Sequence, residues 1–177
     1  CAIEPTRALP GEPRRHRYPR AMPFTIELAN ATDLDQLVEL ESALFREDAG
    51  VHEPDVDVAW PEREGRADFE RLLGDDSCVV LVARADDHLV GFLAGYKAGP
   101  SPTRPVLTAY LRSIYVRSAE RRSGIAADLT DRFVQWAIDQ GCTSAAVDSY
   151  AANDSAQQLY ESLGFVVQSV HRVRRLG

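Results

Sequence analysis

The stretch whose residue types and spacing suggest chemistry is Arg121-Arg122-Ser123-Gly124-Ile125-Ala126. It falls between a strand-like run and a long helical pattern. A glycine-containing turn that feeds a helix leaves several backbone N–H groups without intrahelical partners. Together with the helix dipole they form an anion site. Arg121 and Arg122 add positive charge beside such an anion, and the small side chain of Ala126 lets a ligand approach the backbone. The turn lacks the Gly-Lys-Ser/Thr of a Walker loop and the GxGxxG of a dinucleotide site. Taken alone, these six residues are equally well a polar strand-to-helix turn.

A second feature is electrostatic. Residues 41–76 carry twelve acids against four arginines, a local balance of −8. Glu47, Asp48, Glu53 and the neighbouring His52 stand out because the residues around them are broken by Gly50, Pro54 and Pro61. Such a run either draws in a cation or is a solvated face with i,i+4 pairs such as Glu62–Arg66. Trp60 beside it supplies a cation–π wall or plugs the core. His16, His88 and His171 have no partner at metal-ligand spacing, and no metal site is expected.

The elements that must position these groups follow from periodicity. Phe24, Ile26 and Leu28 alternate with polar residues, as in a strand. Thr32-Asp33 offers a helix N-cap, and Leu34, Leu37, Val38, Glu41, Leu44 and Phe45 predict a helix to about residue 46. Residues 47–61 read as a loop and 62–73 as a second helix. The apolar run 78–83, the turn Asp86-Asp87-His88 and the run 89–96 predict an antiparallel hairpin. Residues 106–116 form the next strand. A helix over 124–140 comes after it, with Ile125, Leu129, Phe133, Trp136 and Ala137 on one face and Gly141 as its stop. Residues 144–149 read as a strand, 153–164 as a helix capped by Asn153 or Asp154, and 165–173 as a final strand. The order β-α-α-β-β-β-α-β-α-β describes a mixed α/β domain over 24–177. Residues 1–23, rich in Pro and Arg, read as an extended arm outside it.

Three motifs then stand in order. Leu111-Arg112-Ser113-Ile114-Tyr115-Val116 precedes the turn, and Asn153-Asp154-Ser155-Ala156 with Leu159-Tyr160-Glu161-Ser162-Leu163-Gly164-Phe165 comes after the long helix. The turn resembles the R/Q-x-x-G-x-G/A signature of the GNAT superfamily of N-acetyltransferases. The run before it resembles that family's cofactor-facing fourth strand, and the run after it the N-x-x-A-x-x-x-Y-x-x-x-G-F motif. Ser118 departs from the family's frequent Pro, and Ala126 stands where a second Gly is common. The resemblance implies a GNAT-type fold: a central mixed, largely antiparallel sheet of about six to seven strands flanked by about four helices. It implies acetyl-CoA as co-substrate. Backbone amides from Arg121 through Ala126, including Arg122, Ser123, Gly124 and Ile125, would hold the pyrophosphate. The strand edge at Ile114, Tyr115 and Val116 would pair with the pantetheine amides. An N–H near Val116 would stabilise the oxyanion, and Asn153 would contact the cofactor.

Within that resemblance, Tyr160 is the catalytic candidate. The departing thiolate belongs to a thiol of pKa about 8.5, and a phenol of pKa about 10 beside it can donate a proton. Otherwise Tyr160 is an amphipathic-helix residue whose hydroxyl finds a polar partner. The acceptor amine, of pKa about 10, must lose a proton before attack. Residues 108–116 hold no Asp, Glu or His. Asp148 ranks first as base by position, with Glu47, Asp48, His52, Glu53 or a water chain as the alternatives. The same four residues border the expected acceptor site, where they would attract a polyamine, an aminoglycoside-like antibiotic or a basic peptide.

Composition bounds the rest. The 177 residues suffice for one domain, and the net charge is −7, with +3 in residues 1–20 and −10 beyond. An acidic body argues against nucleic acid as the partner. Cys1, Cys78 and Cys142 lack CxxC spacing and read as reduced thiols. There is no long apolar run, so no membrane association and a cytoplasmic location are expected, with a homodimer as an option. The expected activity is acetyl transfer from acetyl-CoA to a primary amine of a small cationic acceptor. The alternatives are a protein N-terminus or lysine as acceptor, or a non-catalytic CoA-binding module.

Overall fold

The computed structural model describes residues 24–174 and 176; the arm expected over 1–23 lies outside the described residues. Five strands form one sheet in the order β1-β2-β3-β4-β5: β1 Thr25–Leu28, β2 Cys78–Ala85, β3 His88–Ala98, β4 Thr108–Val116 and β5 Ser144–Val147. Neighbours are antiparallel except β4 and β5, which run parallel. The main helices are α1 Leu34–Leu44, α3 Trp60–Leu73, α4 Ile125–Asp139 and α5 Asp154–Ser162, with a single turn, α2 Gly50–His52, between the first two.

The sheet separates two apolar cores. Along β2, Val79, Leu81, Ala83 and Ala85 face one core, while Val80 and Val82 face the other. This is the period of two that a strand imposes. Leu34, Leu37 and Leu40 of α1 with Phe69 and Leu72 of α3 fill the second core. Ile125, Leu129, Phe133 and Ala137, one turn apart on α4, fill the first together with Tyr160 of α5. Gly95 allows the α4 contact: a Cβ there would stand 2.5 Å from Phe133.

Several expectations need correction. The sheet has five strands among the described residues, fewer than the six to seven expected. No strand forms over 165–173, although the apolar alternation is present. Val166 and Val173 are 85% and 82% exposed, and no neighbouring strand supplies the ladder of hydrogen bonds that makes an extended segment a strand. Residues 47–61 are not an open loop: α1 runs into a π-helical stretch, Phe45–Ala49, and then α2, while Trp60 already opens α3. Asp33 is the N-cap of α1 as expected but makes no capping bond to it; the capping box belongs to the 3-10 turn Ala31–Asp33 just before, where Asn30 accepts the Thr32 amide at 2.9 Å and Asp33 accepts the Asn30 amide at 3.0 Å. Trp60 stacks on Phe45 at 5.9 Å. Glu62 pairs with Arg46 rather than Arg66, and Arg66 with Asp35 and Glu70. The α3 part of the acidic run is thus a solvated, ion-paired face.

Candidate active site

The site begins where β4 loses a neighbour. β4 pairs with β5 only from Thr108↔Ser144 to Leu111↔Val147. On its other side Ala94 faces Ser113 while Gly95 faces Leu111, so Arg112 is an extra, bulged residue. A bulge bends its strand. β5 ends at Val147, so Arg112 to Val116 keep an edge without a strand beside it among the described residues. The bulge is held from the α1–α3 side, where Arg112 meets Asp68 at 2.6 Å and Glu41 at 3.9 Å.

The turn after β4 has the backbone that an anion site needs. Arg122 (φ 63°) and Gly124 (φ 92°) both adopt left-handed conformations, and Ser123 donates to the Glu120 carbonyl at 2.5 Å. Among the described residues, the amides of Ser123, Gly124, Ile125, Ala126 and Ala127 meet no acceptor. These converging donors, with Arg121 and Arg122 alongside, fit a pyrophosphate. Arg121 donates to the Val116 carbonyl at 3.0 Å and lies 5.4 Å above the Tyr115 ring, which fixes it at the strand end.

The stretch 45–53 bridges the two sides of this opening. On the β4 side, Glu47 accepts from the Tyr115 hydroxyl at 2.8 Å and from Arg121 at 2.5 Å. Burial opposes its ionisation, but these two hydrogen bonds and the Arg121 charge outweigh it and hold Glu47 below the usual carboxylate range. On the β5–α5 side, Asp48 accepts from the Asn153 amide at 2.8 Å and stands 3.4 Å from Nε2 of His52. Glu53 accepts from the Tyr150 hydroxyl at 2.9 Å, and the His52 ring lies 5.0 Å from the Tyr150 ring. Burial, then Glu53 and Asp48, push Tyr150 up to about 12.

Asn153 caps α5 by accepting the Ala156 amide at 3.0 Å, which leaves its own N–H for Asp48. One helical face further on, Tyr160 is 8% exposed and its ring meets Phe165 edge-on at 5.7 Å. Its hydroxyl makes no hydrogen bond among the described residues. Burial and then the charge of Asp48 raise it to about 12, so it keeps its proton at neutral pH. Asp148, one residue beyond β5, is exposed and makes none of these contacts. Arg121, Asn153, Tyr115, Glu47, Asp48, His52 and Glu53 are thus linked in one cluster. Tyr150 belongs to it and carries no local sequence signal, because its partners lie 97 residues away in the chain. Among the described residues no three or more His, Cys, Asp or Glu are arranged to hold a metal ion, and no helix is long and apolar enough to cross a membrane.

A model of the acetyltransferase (GNAT) family matches residues 34–165. An aminoglycoside N(6')-acetyltransferase type 1 of Serratia marcescens is 33% identical over 115 residues, covering 60% of this chain and 77% of that one. Human N-acetyltransferase 8 is 34% identical over 84 residues, covering 48% and 37%. Among solved structures, an aminoglycoside N-acetyltransferase in complex with CoA has the same fold at a TM-score of 0.68 and 22% identity, covering 89% of this chain and 97% of that one. The chain belongs to the acetyltransferase (GNAT) family and is an N-acetyltransferase.

Proposed function

We propose that the protein acetylates a primary amine of a small polycationic acceptor of the aminoglycoside kind. The observation that carries this is the acidic stretch 47–53, whose carboxylates span the opening between β4 and α5. They contact the phosphate-type turn through Arg121 and the α5 cap through Asn153. Three carboxylates at the mouth of a site steer and hold a cation. The Serratia relative, an aminoglycoside acetyltransferase by name, supports the same acceptor class.

In this reading the amides of residues 121–126, with Arg121 and Arg122, hold the pyrophosphate. The free edge at Ile114, Tyr115 and Val116 pairs with the pantetheine arm, and an N–H near Val116 polarises the acyl oxygen. Asn153 lies against the cofactor, and Tyr160 gives its proton to the leaving sulfur. Glu47, Asp48, His52 and Glu53 face the acceptor. The test is a screen of amines with acetyl-CoA, monitoring free thiol. Aminoglycosides and other polyamines should turn over well above peptides. Turnover confined to peptide N-termini would overturn the acceptor class.

A further inference from the structure

We propose that His52 is the general base of the reaction and that Asp48 is its positioning residue; this rests on the acceptor reading above. The other candidates are engaged or misplaced. Glu47 is tied to a guanidinium and a phenol, both of which stabilise its anion and lower its basicity. Glu53 accepts from Tyr150. Glu41 is sealed at 2% exposure between α1 and α3, where no acceptor reaches it. Asp148 stands outside the cluster.

His52 differs from all of these. Its Nε2 stands 3.4 Å from Asp48, whose charge favours a proton on that nitrogen, and in that tautomer Nδ1 carries the lone pair. Its ring is braced by Tyr150 at 5.0 Å. Its side chain is 20% exposed, open enough to meet an amine. The groups around it are Asp48 on the π-helical stretch, Glu53 on its own segment, Tyr150 before α5, and Asn153 and Tyr160 through Asp48. Asp48 therefore stands beside the imidazole, and its charge also acts on Tyr160.

The step balances. Nδ1 of His52 takes one proton from the acceptor ammonium. The freed lone pair forms the C–N bond as the C–S bond breaks, and the sulfur keeps that electron pair. Tyr160 protonates the sulfur and recovers a proton from the new amide nitrogen. His52 passes its own proton to water, so ammonium and thioester yield amide, thiol and one proton.

The test compares two acceptors with wild-type protein, His52→Gln, Asp48→Asn and Asp148→Asn. One acceptor is an alkyl polyamine, protonated at neutral pH; the other is a hydrazide, already neutral there. His52→Gln should lose about 100-fold or more in kcat/KM with the polyamine, far less with the hydrazide, and should recover as pH rises toward the polyamine's own pKa. Asp48→Asn should show the same selectivity to a smaller extent. The acetyl-CoA melting shift of His52→Gln should match wild type, which separates a lost base from a misfolded site. Equal losses with both acceptors, or a selective loss in Asp148→Asn alone, would overturn His52 as base. If the wild-type chain turns over no amine, the acceptor reading falls and this assignment with it.

Discussion

At the scale of single residues, the site is an arrangement of donors and acceptors whose basicities have been pushed apart. Glu47 is held below its usual range and Tyr160 is raised to about 12. A phenol that keeps its proton at neutral pH can hand it to a thiolate. Tyr160→Phe keeps the ring and its edge contact with Phe165, so the fold should hold. With chemistry rate-limiting, kcat should fall roughly 100-fold while the dissociation constant for acetyl-CoA stays put. An unchanged kcat would leave Tyr160 a packing residue. Gly124, Asn153 and Tyr160 were legible in the sequence because each sits in a short motif whose spacing is local. The bonds from Tyr115 to Glu47, from Tyr150 to Glu53 and from Asn153 to Asp48 were not, because they connect residues 68 to 105 positions apart.

At the scale of elements, the β4–α4 turn is the part most tightly specified by the chain. Gly124 at φ 92° is in a region that costs any side chain roughly 1–2 kcal/mol. Gly124→Glu adds to that strain a carboxylate where phosphate would approach. It should leave a folded protein whose melting temperature no longer responds to acetyl-CoA. The wild-type chain at about 100 times the dissociation constant should gain about 2.7 kcal/mol. A folded Gly124→Glu variant that still responds would place the pyrophosphate elsewhere. Helix α4 and the β2–β3 hairpin were readable from period alone: Ile125, Leu129, Phe133 and Ala137 recur at one turn, and Asp86 takes the left-handed turn position at φ 51°. The π-helical stretch was not readable, since Gly50 and Pro54 look like loop markers whichever helix type precedes them. The apolar residues of 165–173 misled for a related reason: alternation identifies a segment able to be a strand but says nothing of the partner it requires.

At the scale of the molecule, charge is distributed with a cost. Burial pushes the Glu41 carboxyl up to about 7, Arg112 pulls it down and Asp68 adds to the rise. The folded state then keeps this proton where the unfolded chain, with a carboxyl pKa of about 4.3, has lost it. The stabilisation from this group is full below the unfolded value and is lost as pH climbs to about 7. Glu41→Gln keeps the shape without the ionisation. Its denaturant stability should vary less between pH 5 and 8 than that of the wild type, by on the order of 1–3 kcal/mol. An identical pH dependence in the two proteins would mean that Glu41 is ionised in the fold throughout.

The stretch Phe45–Ala49 carries a different kind of consequence. A π-helical turn is an α-helix with one residue too many. Deleting a residue there returns the chain to the ordinary pitch of about 3.6 residues per turn, so the loss is absorbed where the helix is wide and His52 and Glu53 still face Tyr150. The stretch is therefore a place where the chain can lose one residue without turning the residues that follow. In a lineage of such proteins, a single codon lost there changes which side chains line the stretch and leaves the groups downstream in place.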